Sequence, residues 1–175
     1  MNLRIVRKWM ICVVILFASV SKLFSQSNEA DVKAMFIFNF IKYVEWPQSK
    51  SDAVFRIGVF GKSPVSKSLE KVIAQKNKEG RRIELVDVAE SEAIDCQMLF
   101  ISQSASPKNE VLTKIKQSNG ILIISDESSK SEKWAAINLL TIDNKIRFEI
   151  NLGAAKSGGV KISSQLSNLA VSVNP

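Results

Sequence analysis

Short apolar runs alternate with helical segments along this chain, and this alternation restricts it to the α/β class of folds. Residues 54–60 and 82–88 alternate apolar and polar side chains, whereas 98–102 and 121–124 are apolar almost throughout. The first pair predicts half-buried strands and the second pair predicts central strands of a sheet. Helix-start signals, each a serine followed by a proline, come after the first and third strands at 63–64 and 106–107.

The C-terminal third predicts a hairpin followed by helices. Residues 137–142 and 145–150 read as two strands joined by the turn-prone pair Asp143-Asn144. Asn151 is placed to cap a short helix that Gly158-Gly159 end. A last helix is indicated by the spacing of Ile162, Leu166, Leu169 and Ala170. The whole pattern predicts a three-layer α/β sandwich with a mixed, mainly parallel sheet of about six strands, helices on both faces, and a C-terminal hairpin plus helices.

Residues 28–46 predict an N-terminal helix that Pro47 stops. At helical spacing, one broad apolar face is expected to meet the sheet; its members are Val32, Phe36, Ile37, Phe40, Ile41, Tyr43 and Val44. Met35 and Phe38 project among the polar residues of the opposite face. Two explanations remain open for them, local packing under a loop or a surface for a dimer or a partner.

The first 27 residues are typical of an export signal. A basic start precedes the apolar run 10–20, which is too short to cross about 30 Å of hydrocarbon. Small residues allow cleavage after Ser25 or after Ser27. The alternative is an uncleaved membrane anchor. We expect a cleaved signal peptide at 1–27, a periplasmic location, and one domain at 28–175.

Removal of this segment changes the net charge and the number of cysteines of the chain. The segment holds four of the 24 basic residues and none of the 17 acidic ones, so the net charge falls from +7 to +3. A mildly basic domain without a clustered basic face does not predict nucleic-acid binding. Cys96 becomes the single cysteine, so no internal disulfide is expected, and the thiol is expected to be buried and inert.

The residue types do not favour an enzyme. The chain has no histidine, which excludes Ser-His-Asp and Cys-His catalysis and the commonest zinc ligand. Gly61-Lys62-Ser63 follows a strand but lacks the earlier glycine of a phosphate-binding loop, since Arg56 stands there. The acidic pairs Asp87 with Glu90 and Asp126 with Glu127 are expected to be surface acids. No catalytic residue, cofactor or metal ligand is predicted.

Two segments carry a family resemblance. One is the aromatic-rich end of the first helix at 40–47, which closes in Trp46-Pro47. The other is the block 146–156, followed by 159–164 and 166–170. In order and spacing these segments resemble the YfiR-like family of periplasmic proteins. The chain departs from some members in keeping only Cys96, and in having Trp134-Ala135-Ala136 where many have glycines.

The resemblance implies a non-catalytic function and a set of partners. YfiR-like proteins are periplasmic inhibitors that bind the periplasmic part of an inner-membrane diguanylate cyclase and hold down cyclic-di-GMP synthesis. An outer-membrane lipoprotein can sequester the inhibitor, and the inhibitors tend to form homodimers. The alternative function is a periplasmic small-ligand binding domain that serves a sensor kinase or a transporter.

Within this framework we predict two groups of residues. The expected partner-binding surface residues are Met35, Phe38, Lys42, Arg147, Glu149 and Lys161. The expected structural residues of the family motifs are Trp46, Pro47, Phe148 and Asn151. Trp46 is expected to pack the end of the first helix. Arg147 and Glu149 alternate with Phe148 and therefore share one strand face, where they could pair with each other or meet a partner.

Overall fold

The computed structural model describes residues 29–47, 54–77, 82–88, 94–105, 111, 113–114, 118–126 and 134–175. The predicted export segment lies outside these residues, as do the turn at 80–81, the helix start at 106–107, Glu90 and Glu127. No helix of the described part combines the length and the apolar character that crossing a bilayer requires.

Seven strands of the described chain form one mixed sheet, and two short strands form a separate ribbon. The strands are β1 (Val44–Glu45), β2 (Val54–Phe60), β3 (Arg82–Asp87), β4 (Met98–Ile101), β5 (Leu122–Asp126), β6 (Ile137–Ile142), β7 (Lys145–Asn151), β8 (Lys161–Ile162) and β9 (Ser172–Asn174). The large sheet has the order β3-β2-β4-β5-β6-β7-β9, and β1 pairs with β8. Only β6 and β7 pair antiparallel within the large sheet.

The predicted fold class is confirmed. Along β4, Met98 and Phe100 belong to one hydrophobic cluster, and the alternate residues Leu99 and Ile101 belong to another. Successive side chains of a strand point to opposite faces, so the sheet separates two apolar layers. The seventh strand is β9, which follows the predicted terminal helix and was not predicted from the sequence pattern.

Serine or asparagine side chains cap three of the helices. The helices are α1 (29–40), α2 (Pro64–Lys76), α3 (Leu152–Ser157) and α4 (Ser164–Ser167), and residues 111, 113 and 114 are also helical. Ser63 accepts a hydrogen bond from the backbone N–H of Val65 at 3.2 Å before α2. Asn151 accepts one from Ala154 N–H at 2.9 Å before α3, which confirms the predicted cap.

Helix α1 is shorter than predicted, and a different face of it is buried. It ends at Phe40, a 3₁₀ turn follows at Ile41–Tyr43, and Val44–Glu45 is a strand rather than helix. The reason is tertiary, because Val44 pairs with Ile162 and Glu45 with Lys161 in the ribbon. Pro47 therefore lies beyond a helix that has already ended.

The buried face of α1 is centred on small residues. Ala30, Ala34 and Ile37 are all buried, whereas Val32, predicted to face the sheet, is 37% exposed. The buried stripe is therefore rotated about the helix axis from the predicted face toward the two alanines. The prediction that Phe38 is a surface residue is wrong, because this rotation leaves its side chain only 8% exposed and within the main hydrophobic cluster.

The aromatic residues of the family motifs join α1 to the sheet. Phe148 on β7 contacts Phe40 with ring centroids 5.2 Å apart, and Phe36 with centroids 5.8 Å apart. Trp46 packs edge-on against Phe55 of β2 at 5.1 Å. These contacts support the structural role predicted for Phe148, and they place Trp46 against β2. That Trp46 packs the end of α1 stays a prediction.

The C-terminal segment also differs from its predicted helix. Ile162 lies in β8, and α4 covers only Ser164–Ser167 before β9 begins. Leu169 is 63% exposed, although helical spacing assigned it to a buried stripe. The short helix ends because the chain must return to the sheet, where β9 pairs with β7. The spacing of apolar residues along one segment does not predict that it pairs with a distant strand.

Candidate interaction surface

Two apolar residues of α1 face away from the core. Met35 is 54% exposed, as the sequence predicts, and Val32 lies one turn earlier at 37%. Residues three apart on a helix are neighbours, so these two side chains form one exposed apolar strip. Phe38 does not extend this strip, because it is buried.

A groove lies between the start of α1 and the hairpin of β6 and β7. Its volume is about 590 Å³, and its lining residues are Glu29, Val32, Thr141, Asn144, Lys145, Ile146 and Arg147. The hairpin that forms one wall turns through Asp143 and Asn144, both with positive φ of 49° and 57°. Positive φ at both central residues is typical of a type I′ turn, which fixes the strands in register. The predicted hairpin is confirmed.

A buried ion pair holds α1 against the end of the sheet. The Nζ of Lys33 donates to Oδ1 of Asp126 at 2.6 Å and contacts Oε1 of Glu29 at 2.7 Å. The side chains of Lys33 and Asp126 are 7% and 8% exposed. Thr141 on β6 also donates to Oε1 of Glu29, at 3.3 Å. The carboxylates of one helix and one strand thus share a single ammonium group beside the groove.

The charges around Lys33 alter its titration. Burial by itself lowers the pKa of the amine, but the hydrogen bonds and charges of Asp126 and Glu29 outweigh burial and raise the pKa above its ordinary 10.5. Lys33 is therefore a fixed positive charge at physiological pH.

The sequence patterns did not predict the cluster formed by Lys33, Glu29 and Asp126. The expectation that Asp126 is a surface acid is wrong, because its residue is only 6% exposed and its carboxylate is neutralised by Lys33. The spacing of Glu29 and Lys33, four residues apart on a helix, was the available local signal. Their association with Asp126 spans 93 residues and depends on the fold. Asp87, in contrast, is exposed as expected.

Comparison with known proteins decides the family. The family model described as DUF4154, YfiR/HmsC-like, matches residues 30–171 of the chain. The chain belongs to the YfiR/HmsC-like family. The match includes Trp46-Pro47 and the block at 146–156, which carried the resemblance in the sequence. This family is a regulatory, non-catalytic family of periplasmic proteins.

Other comparisons are more distant. No curated protein matches the chain. Among solved structures, it is similar to one described as "the ABC domain in complex with L-Trp from Streptococcus pneumonia", with a TM-score of 0.44 and 15% identity. The similarity covers 68% of this chain and 55% of that one, so the chain spans about half the length of that protein.

The strand residues of the second YfiR-like motif differ in accessibility. Arg147 is exposed and lines the groove, whereas Glu149 is half-buried and accepts a hydrogen bond from Oγ of Ser172 at 2.8 Å. The two do not form an ion pair with each other in the described part of the chain. Of these two residues, Arg147 is the one available to a partner in the groove.

The other predicted contacts of this YfiR-like protein lie at the ribbon. Lys42 is exposed in the turn before β1. Lys161 on β8 forms an ion pair with Glu45 at 3.1 Å, and both side chains are largely exposed. An exposed ion pair of this kind contributes at most about 1 kcal/mol to the stability of the fold. Lys161 can therefore leave Glu45 and bind a carboxylate of a partner with little loss of stability. Their contact with a partner stays a prediction.

A second cavity lies near Lys33 and shares Glu29 and Thr141 with the lining of the groove. Its volume is about 340 Å³, and its polar lining includes Lys33, Ser63, Gln103 and Asp126. Cys96 is fully buried, as predicted, so its thiol lies away from both openings. In the described residues no group of three or more acidic or cysteine side chains is arranged to hold a metal ion.

Proposed function

We propose that this protein is a periplasmic regulator that binds the periplasmic part of an inner-membrane signalling protein and represses a diguanylate cyclase. The observation that carries the proposal is membership of the YfiR/HmsC-like family over residues 30–171. The protein reaches the periplasm through a signal peptide at 1–27 that is cleaved after Ser25 or Ser27. It acts by binding and not by catalysis.

The physical basis of this repression is a shift between two conformations of the membrane protein. A regulator can favour the inactive form only by the difference between its affinities for the two forms. A surface that is complementary to one form is therefore sufficient, and no reaction is required. An outer-membrane lipoprotein that binds the same regulator would release the block by competition.

Deletion of the gene is expected to raise cellular cyclic-di-GMP, because repression of the cyclase is lost. Expression of the complete gene should restore the low level, and expression without residues 1–27 should not, because the protein then stays in the cytoplasm. Cyclic-di-GMP is measured by mass spectrometry of extracts. An unchanged level in the deletion strain would contradict repression of a cyclase, while recovery of another membrane sensor in a mild-detergent pull-down would preserve the regulatory role.

We further propose that two copies associate through β9. This strand is one edge of the large sheet. Val173 in the strand and Leu169 and Val171 in the segment just before it are 40%, 63% and 47% exposed. Residues 162–175 contain no charged side chain, whereas the opposite edge strand β3 carries Arg82, Glu84 and Asp87. An uncharged edge is complementary to a second copy of itself, while charges on an edge oppose such pairing.

Val173→Lys is expected to weaken self-association at least about tenfold, because a lysine on each edge places like charges at the contact. The matched control is Ile142→Lys, which alters an equally exposed residue of β6 away from this edge. Light scattering over a concentration series gives the dissociation constants. A wild-type protein that is monomeric throughout, or an equal loss in both variants, would rule out the β9 interface.

The second cavity supports one alternative, a small-ligand binding protein that serves a sensor kinase or a transporter. Ser63 and Gln103 follow β2 and β4, and Asp126 ends β5, so the cavity lies at the carboxyl ends of parallel strands. Ligands of open α/β sheets commonly bind at this position. Saturable thermal stabilisation by a metabolite, together with an unchanged cyclic-di-GMP level in the deletion strain, would favour this alternative.

A further inference from the structure

We infer that the groove between α1 and the β6–β7 hairpin receives an acidic, partly apolar segment of the membrane partner. This inference rests on the proposed function, because it specifies where the partner binds and which chemistry it presents. Three features of the groove carry it, namely its unpaired cations, the apolar strip beside them and its fixed walls.

The charge of the groove is positive where it is accessible. Lys145 and Arg147 both line it and are both exposed. In the described residues, neither forms an ion pair. The one acid of the lining, Glu29, already contacts Lys33. The described lining thus has two exposed cations without an ion pair against one acid, so its formal charge is positive and an anionic group is the complement.

The apolar part of the surface extends beyond the groove. Val32 and Ile146 lie inside it, and Met35 continues the strip one turn further along α1. A small anion would contact the cations but would leave Met35 exposed to water. A protein segment that carries acidic and apolar side chains covers both parts, which is why a macromolecular partner fits better than a free anion.

The groove is held open by its neighbours before any partner arrives. Lys33 and Glu29 tie the start of α1 to the ends of β5 and β6, through the contacts to Asp126 and Thr141. The type I′ turn fixes the tip of the hairpin on the other side. A preformed groove avoids the entropic cost of ordering its walls on binding, so more of the contact energy is available for affinity.

The test is site-specific photo-crosslinking in the exporting host, with the complete gene. A photo-reactive phenylalanine analogue replaces Val32 in the groove or, as a control, Ile142, which is similarly exposed outside the groove lining. We expect the analogue at position 32 to crosslink to a membrane signalling protein that mass spectrometry identifies. The linked peptide should contain acidic and apolar residues. The analogue at position 142 should give little of this product.

Charge reversal adds a second readout. Lys145→Glu and Arg147→Glu are each expected to lower the yield of the crosslink at least about tenfold, because like charges then face each other. Lys71→Glu, an equal change on the exposed side of α2, should leave the yield unchanged. The melting temperatures of all three variants should match the wild type, since the altered residues are on the surface.

The outcomes separate this inference from the proposed function. If a pull-down recovers the membrane partner but position 32 gives no crosslink to it, or charge reversal does not lower the yield, the inference is wrong and the regulatory function stands. Crosslinking of position 32 only to a second copy would also overturn the inference. If neither method recovers a membrane signalling protein, the proposed function fails and the inference fails with it.

Discussion

Phe38→Ala is expected to lower the free energy of unfolding by about 3–5 kcal/mol, because it removes a large side chain from the core and leaves a cavity. Phe38 is only 8% exposed and belongs to the main hydrophobic cluster between α1 and the sheet. Urea denaturation followed by circular dichroism gives the value. Phe38→Asp should be worse, since it also places an uncompensated charge in the same apolar site.

The matched control is Met35→Ala, one turn away on the same helix. Met35 is 54% exposed, so its truncation should change stability by less than about 0.5 kcal/mol. The two variants distinguish the buried face of α1 from its exposed face. Similar losses in both would mean that α1 is rotated from its described orientation, and would return Phe38 to the surface.

Lys33→Met is expected to lower the free energy of unfolding by about 3–5 kcal/mol, because it removes the ammonium group that the buried carboxylate of Asp126 contacts. The side chain of Asp126 is 8% exposed, and Lys33 contacts it at 2.6 Å. Thermal and urea unfolding measure the loss. A loss below about 1 kcal/mol would show that water reaches the carboxylate and that the pair is a surface pair.

The double variant Lys33→Met, Asp126→Leu is the control for this interpretation. Replacing both members of a buried ion pair by apolar residues is often neutral, so the double variant should recover most of the lost stability. Glu29 is more exposed than Asp126 and can be solvated after Lys33 is removed. A double variant as unstable as the single one would indicate that the lysine acts through packing and not through its charge.

The ion pair also predicts that the stability of the protein depends on pH in the alkaline range. The pKa of Lys33 is raised above 10.5 in the folded protein, so its contribution is fully present below pH 10.5. The contribution is lost as pH rises through the raised pKa, where folding no longer favours the charged amine. The difference in unfolding free energy between wild type and Lys33→Met should therefore be constant from neutral pH to pH 10.5 and shrink above it.

Local chemistry was sufficient to predict much of the fold. The alternation of strands and helices predicted a three-layer sandwich, and Asp143-Asn144 predicted the hairpin that forms one wall of the groove. Asn151 was identified as a cap because its side chain acts on a backbone group three residues away. Each of these features depends on residues close in sequence, where propensity and spacing carry the information.

The candidate surface was only partly predictable. Met35 and Arg147 were identified because a large apolar residue among polar ones, and a charge on a strand, stand out in the pattern. Phe38 was misplaced because helical spacing shows that a face exists but not which angle meets the sheet. Lys33 escaped notice because its partner Asp126 is 93 residues away.

The sequence by itself determined the order of the elements, the hairpin turn, the helix caps and the family, since each of these resides in short segments with a local physical cause. Only the tertiary structure decided how α1 is rotated, which charges are buried and where unpaired cations border an apolar strip. Those properties depend on contacts between segments that are distant along the chain. In such contacts, the free energy of burying an alanine, a phenylalanine or an ion pair depends on what lies opposite.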